Sequence, residues 1–120
     1  GEYAGGLKEG LWEIFAGDYI ERGYYVEGMM NGEWEGIYKS TGKTAFEGEY
    51  IEGEPEGKHT YYFPNGRKRL EGKYQAGLKQ GDWKRYDEAG MVVLTIRYEN
   101  GKTVRLNGKK LKKYEDEEEE

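Results

Sequence analysis

The feature that most constrains this chain is a motif repeated at a nearly fixed period. Tyr-x-x-Gly occurs five times, beginning at Tyr3, Tyr25, Tyr50, Tyr74 and Tyr98, which gives spacings of 22, 25, 24 and 24 residues. In the first four copies a second Gly follows four residues after the first, and a ring-bearing residue comes two positions later. These slot residues are Trp12, Trp34, His59 and Trp83. A period of this length predicts a tandem array of one supersecondary unit.

Each unit reads as a β-hairpin. Leu94, Ile96 and Tyr98 alternate with Thr95 and Arg97, which is the period of a strand. Asn-Gly pairs begin at positions 31, 65, 100 and 107 and favour tight hairpin turns. Strands spaced at half the repeat leave little room for helices. The sequence therefore predicts an all-β fold of tandem antiparallel β-hairpins.

Aromatic rings are expected to do much of the packing. The chain has 18 aromatic residues and 20 glycines, and it has too few Leu, Ile and Val residues for a thick two-layer core. Gly48 and Gly72 each stand between two large side chains of a strand, which predicts that a neighbouring ring lies against the backbone there. The Trp and the aromatic residue three positions later should face opposite sides of a regular strand, so we expect rings on both faces of a single-layer sheet. One extra residue between Trp34 and Tyr38 predicts a local bulge.

The last unit departs from the pattern. Arg105 and Asn107 replace its second Gly and its slot ring, as expected of a terminal cap over residues 98–114. We therefore predict one repeat domain of about four and a half units over residues 1–114. The acidic segment 115–120 is predicted to be a disordered tail.

These motifs resemble MORN repeats, in the longer variant typical of bacterial proteins of the YwqK antitoxin family. The residues that carry the resemblance are the Tyr-x-x-Gly units above and the triplets Gly10/Trp12/Phe15, Gly32/Trp34/Tyr38 and Gly81/Trp83/Tyr86. The resemblance covers about residues 1–108. It implies an elongated, twisted, mainly single-layer sheet, with roles in scaffolding, protein interaction, dimerisation or binding to lipid surfaces.

Charge is divided unevenly along the chain. Residues 1–56 carry 13 acidic and 4 basic groups, a net charge of -9, whereas residues 57–114 carry 5 acidic and 15 basic groups, a net charge of +10. Residues 115–120 add six acids and bring the total to -5. The opposite halves predict at most a weak self-association. The basic half, interleaved with rings, is also compatible with an anionic membrane surface or a nucleic acid.

Catalytic chemistry finds little support. The chain has one Ser, one His and no Cys, so sites that pair a nucleophile with a base are nearly excluded. His59 is expected to replace a Trp ring in the stack rather than to bind a ligand. Alternating carboxylates such as Glu47 and Glu49 are typical of a solvated strand face. We therefore predict no enzyme activity, and no catalytic, cofactor or metal-binding residues.

The function expected is that of a non-enzymatic protein-interaction or scaffold module with an unknown protein partner. The candidate contact residues are the rings Trp12, Trp34, His59 and Trp83 and the lysines Lys109, Lys110, Lys112 and Lys113. The alternatives are an antitoxin-like binder of a cognate protein, an anionic-surface or nucleic-acid binder, and a carbohydrate-binding module that stacks exposed Trp rings. Exposed rings would favour a ligand groove and buried rings a scaffold. Bacterial cytoplasm and the cell envelope or periplasm are both compatible with the sequence.

Overall fold

The computed structural model describes residues 1–107 and the backbone of Lys109 and Lys110. The described chain forms only strands and turns. The strands are β1 (Glu2–Ala4), β2 (Leu7–Ala16), β3 (Tyr19–Val26), β4 (Met29–Tyr38), β5 (Thr44–Ile51), β6 (Glu54–Tyr62), β7 (Lys68–Gln75), β8 (Leu78–Tyr86), β9 (Val92–Glu99), β10 (Lys102–Leu106) and β11 (Lys109–Lys110).

All eleven strands form one antiparallel sheet whose spatial order is the order of the sequence. The prediction of an all-β array of hairpins is therefore confirmed. The radius of gyration is 16.8 Å, against about 14 Å for a compact domain of this length, and the extents are 49 × 32 × 22 Å. The fold is an extended sheet without a second layer over the described residues. The predicted tail 115–120 lies outside the described residues, as do Lys112 and Lys113 and the side chains of Lys109 and Lys110.

The Gly of each Tyr-x-x-Gly unit closes a two-residue turn. At Glu27–Gly28 the φ angles are 52° and 81°, and at Asn100–Gly101 they are 51° and 84°. Positive φ at both central residues is the type I′ pattern, which matches the twist of a two-stranded ribbon. We call the side of the sheet where these turns lie the x-Gly edge. At the opposite edge, loops close through Gly66 and Gly90, whose amides donate to Phe63 O at 2.9 Å and Asp87 O at 3.0 Å.

The second Gly of the second, third and fourth units lies at a bulge, at Gly32, Gly57 and Gly81. Gly32 lies within β4 and has a φ of 90°. Gly23 of β3 pairs with Trp34 and Tyr25 pairs with Met30, so a step of two residues along β3 corresponds to a step of four along β4. The bulge predicted between Trp34 and Tyr38 lies at the expected level of the ladder but on the other strand. Gly36 pairs with Phe46 and Ile37 with Thr44, so the extra residue is in β5.

Strand alternation gives the sheet two unlike faces. The aromatic face carries the repeated Tyr and the slot rings, and the polar face carries the intervening charged residues. The buried side chains are few, namely Trp34, Ala45, His59, Thr60 and Trp83, and the glycines Gly23, Gly36 and Gly72 are buried with them. The prediction of rings on both faces is confirmed, but the two faces differ in how their rings are arranged. Rings that contact one another lie on the aromatic face, whereas Phe15, Tyr24 and Tyr62 are separated on the polar face.

Candidate interaction surfaces

The slot rings lie in one continuous row along the aromatic face. Nine rings alternate in the order Tyr3, Trp12, Tyr25, Trp34, Tyr50, His59, Tyr74, Trp83 and Tyr98. Neighbouring centroids are 4.9 to 6.4 Å apart and every contact is edge-to-face. This is the favoured geometry for aromatic pairs. The prediction that rings stack from one repeat to the next is confirmed.

The rings of Trp34, His59 and Trp83 each lie against a glycine of the preceding strand, and the ring of Trp12 lies against Gly1. A Cβ atom built on Gly23 would overlap the indole of Trp34, and one built on Gly72 would overlap that of Trp83. The indole N–H then donates to the carbonyl after that glycine, from Trp34 Nε1 to Tyr24 O at 3.3 Å. Trp83 Nε1 makes the same bond to Lys73 O at 3.1 Å. Only glycine leaves room for this close approach.

His59 occupies its slot as a tryptophan does. Its ring covers Gly48, and its Nε2 lies 2.9 Å from Glu49 O, ten residues back, as in the Trp pairs. Tyr50 and Tyr74 contact it edge-on at 5.3 and 4.9 Å. The expectation that this ring replaces a ring is confirmed. Trp34, His59 and Trp83 are each at most 4% exposed and Trp12 is half-buried, so burial favours packing over ligand stacking for the slot residues.

Two lysines cover the row at equivalent positions of different repeats. Lys8 Nζ lies 5.4 Å from the Trp12 ring and 5.1 Å from that of Tyr25. Lys79 Nζ lies 5.1 Å from Trp83, and its cation–π contact to Tyr98 is 5.0 Å. The ammonium groups of these lysines therefore lie over rings of the row toward both ends of the sheet.

A set of side-chain hydrogen bonds along the x-Gly edge was not predicted from the sequence. The residue before each second Gly accepts a hydrogen bond from the first turn amide of the next repeat. The four bonds run from Glu27 N to Glu9 Oε1 (2.9 Å), Glu52 N to Asn31 Oδ1 (3.1 Å), Ala76 N to Glu56 Oε1 (2.9 Å) and Asn100 N to Gln80 Oε1 (2.8 Å). The sequence feature that could have predicted these bonds is a side chain with an oxygen acceptor at the same position in four units.

The polar face has an open groove over β2–β6, with a volume of about 670 Å³. We call it the glutamate groove, because Glu33, Glu35, Glu47 and Glu49 line it. The remaining residues of its lining are Leu11, Arg22, Gly23, Tyr24, Trp34, Gly48, Lys58 and Thr60. The groove crosses neighbouring repeats, so it exists only in the assembled sheet.

The glutamates oppose one another across β4 and β5. Glu33 pairs with Glu49 and Glu35 with Glu47, and like charges placed directly opposite are unfavourable. The two cations of the groove are paired with carboxylates outside its lining. Arg22 Nε lies 3.4 Å from Glu13 Oε2, and Lys58 Nζ lies 3.7 Å from Glu71 Oε2. Within residues 1–107, none of the four glutamates forms a salt bridge.

Tyr62 and Glu71 lie outside the groove lining but bond to its residues Glu47 and Thr60, and both have shifted pKa values. Burial, together with the hydrogen bond to Glu47 Oε2 at 2.6 Å, raises the pKa of the Tyr62 hydroxyl to about 12. Burial acts to raise the pKa of Glu71, but hydrogen bonds from Lys68 and Thr60 outweigh it, so this pKa is lowered. Both groups hold their ordinary charge at neutral pH.

An apolar strip adjoins the groove on the side of the x-Gly edge. By strand alternation its six side chains all lie on the polar face of β2–β5. They are Leu7, Leu11, Tyr24, Val26, Met29 and Ile51, and each is 41% to 55% exposed. Leu11 pairs with Tyr24 and Val26 with Met29, so the strip is continuous across β2, β3 and β4. A contiguous exposed apolar patch is typical of an interaction surface.

The polar face is basic beyond β6. Lys58 pairs with Lys73, and Arg97 pairs with Arg105 beside an open groove of about 480 Å³. Glu71 and Asp82 moderate this region, because Lys58 Nζ lies 3.7 Å from Glu71 Oε2 and Arg97 donates to Asp82 Oδ1 at 3.2 Å. The contact candidates Lys109, Lys110, Lys112 and Lys113 belong to the same end of the chain, but their side chains lie outside the described residues.

The described part of the chain offers no arrangement that matches a metal site, since no three His, Asp or Glu side chains converge there. It also has no helix long and apolar enough to cross a membrane.

Comparisons with known proteins give a distant structural similarity alone. No family model matches the chain, and no curated protein matches it. One similar solved structure is titled "Crystal structure of GtfA/B complex", with 13% sequence identity and a TM-score of 0.44. The match covers 88% of this chain and 22% of that one, so the chain spans less than a quarter of the protein it resembles.

Proposed function

We propose that this chain is a non-enzymatic protein-interaction module built from MORN-type hairpins, of the longer variant seen in YwqK-like bacterial proteins. The observation that carries the proposal is the contrast between the two faces. The rings and glycines of the repeat are used on the aromatic face to hold the sheet together. The polar face of β2–β5 has instead an open groove and six exposed apolar side chains, which the fold does not require.

A scaffold of this kind suits recognition because its binding residues stand on a rigid sheet. Adjacent strands fix the spacing of the groove side chains, so little conformational entropy is lost when a partner binds. The partner is a protein segment or surface, and an antitoxin-like complex with a cognate protein is one form of the same activity. No bond is made or broken in this mechanism.

Affinity capture tests the proposal. The immobilised chain is exposed to an extract of its source cells, and the retained proteins are identified by mass spectrometry. We expect a defined protein to be retained by the unmodified chain and lost by the double variant Leu11→Ser/Tyr24→Ser. The control is Met91→Ser, which changes a side chain that is 65% exposed on a loop outside the groove. Equal retention by the three chains would contradict the proposal.

A further inference from the structure

We infer that the glutamate groove and the apolar strip together bind an amphipathic segment that carries lysine or arginine along one side. The inference rests on the proposed function and adds the site and the chemistry of the partner. The glutamates and apolar side chains of this site lie on the polar face, and none of them is a Tyr, Gly or ring residue of the repeated motif.

The charge of the groove favours a cationic partner. Four carboxylates face the groove in two directly opposed pairs, and the described chain supplies no salt bridge to any of them. Arg22 and Lys58 are each paired with a carboxylate outside the groove lining. A partner cation placed between Glu33 and Glu49 would relieve their repulsion. An anionic partner would increase it.

The apolar strip beside the groove requires apolar side chains on the partner. Leu11 is 55% exposed and Tyr24 is 53% exposed, and they stand at the groove beside the glutamates. An ion or a small polar cation would leave this strip uncovered. A partner that covers both features must carry apolar side chains on one flank and basic side chains on the other, which describes an amphipathic basic segment.

The width of the site is within the length of a short helix. The apolar strip extends over the four strands β2–β5, which at ~4.8 Å spacing cover about 14 Å across the sheet. A helix of about 14 residues is ~21 Å long. One such helix is therefore long enough to lie along the whole site. Beyond the groove the same face carries Lys73 and the opposed pair Arg97 and Arg105, which disfavour the continuation of a basic segment in that direction and favour a position toward β2.

Direct binding of a designed peptide tests the inference with the full chain. The probe is a fluorescent peptide of about 14 residues with leucine at the helical period and lysine elsewhere, compared with the same peptide carrying glutamate for lysine. We expect fluorescence anisotropy to show binding of the lysine peptide at low salt and none of the glutamate peptide. Shifts in the NMR spectrum of the labelled chain should map to β2–β5.

Two variants and their controls locate the site. Glu33→Gln/Glu49→Gln should weaken lysine-peptide binding about tenfold, which corresponds to ~1.4 kcal/mol. Glu88→Gln/Glu99→Gln makes the same change of net charge in the other half of the chain and should weaken it less than about twofold. Leu11→Ser/Tyr24→Ser should also weaken binding about tenfold, whereas Met91→Ser should leave it unchanged.

Several outcomes would overturn the inference. Equal weakening by both glutamate-to-glutamine variants would mean a general attraction without a site, and NMR shifts on the aromatic face would place binding elsewhere. A dimer in sedimentation equilibrium that Glu33→Gln/Glu49→Gln dissociates would show that a second copy occupies the groove. If the peptide fails to bind while a captured protein is still lost by Leu11→Ser/Tyr24→Ser, the inference fails and the proposed function stands.

Discussion

The aromatic face and the polar face of this sheet share every strand, yet the side chains make favourable contacts on the first and include opposed like charges on the second. On the aromatic face, Trp34 and Trp83 each satisfy a carbonyl, cover a glycine and touch a tyrosine on either side. On the polar face, Glu33 opposes Glu49 and Lys58 opposes Lys73, which are pairings that cost free energy. A single-layer sheet stabilised from one side can therefore hold an unfavourable, exposed arrangement on the other side. The following predictions test that division, in order of expected effect.

The largest expected effect is the loss of a slot ring. Trp83→Ala removes an indole that is 3% exposed, and we expect the free energy of unfolding to fall by about 3–5 kcal/mol. Leu11→Ala, on the polar face at 55% exposure, should change it by less than about 0.5 kcal/mol. Urea denaturation followed by circular dichroism measures both. Comparable losses from the two variants would mean that the polar face also holds the fold together.

The next effect concerns the glycine beneath the ring. Gly72→Ala places a methyl group where the Trp83 indole lies, and we expect a loss of about 1–3 kcal/mol from overpacking. In the Trp83→Ala background the same change should become neutral or stabilising, because alanine is better than glycine in a strand once the ring is gone. Urea denaturation of the four chains of this double-mutant cycle measures the coupling. A cost that stays the same in both backgrounds would show that backbone conformation, and not the ring, requires Gly72.

A smaller effect is expected at the x-Gly edge. Gln80→Ala removes the acceptor of the Asn100 amide, and we expect a loss of about 1 kcal/mol together with faster hydrogen exchange at that amide. Gln75→Ala changes an exposed glutamine on the same edge and is the matched control. Unchanged exchange at Asn100 in the Gln80→Ala chain would mean that this bond does not link the two repeats.

The aromatic face was largely predictable from the sequence, because the repeat places the same residue types at the same offsets. Gly48 illustrates this, since its place between two large side chains predicted a ring lying against the backbone, and the ring found there is that of His59. The x-Gly edge was less predictable. The acceptor there is Glu9, Asn31, Glu56 or Gln80, so the shared property is a side-chain oxygen and not a residue type.

The candidate site was the least predictable part. Glu47 and Glu49 stood out in the sequence as alternating carboxylates, but their opposition to Glu35 and Glu33 depends on the register of β4 with β5. That register includes bulges whose strand the sequence does not identify, as the position of the extra residue in β5 shows. The apolar strip likewise brings Leu11 beside Tyr24 only after pairing.

The smallest expected effect has the opposite sign to the others. Glu33→Gln/Glu49→Gln removes one opposed pair of carboxylates, and we expect the free energy of unfolding to rise by several tenths of a kcal/mol, up to ~1 kcal/mol. The gain should shrink in 1 M salt, where the screening length is about 3 Å, and Glu88→Gln/Glu99→Gln should show little gain. Thermal and urea unfolding at two salt concentrations measure it. A loss of stability would show that the glutamates support the fold, whereas a more stable chain with weaker peptide binding would show that the groove retains its charge for recognition at the expense of stability.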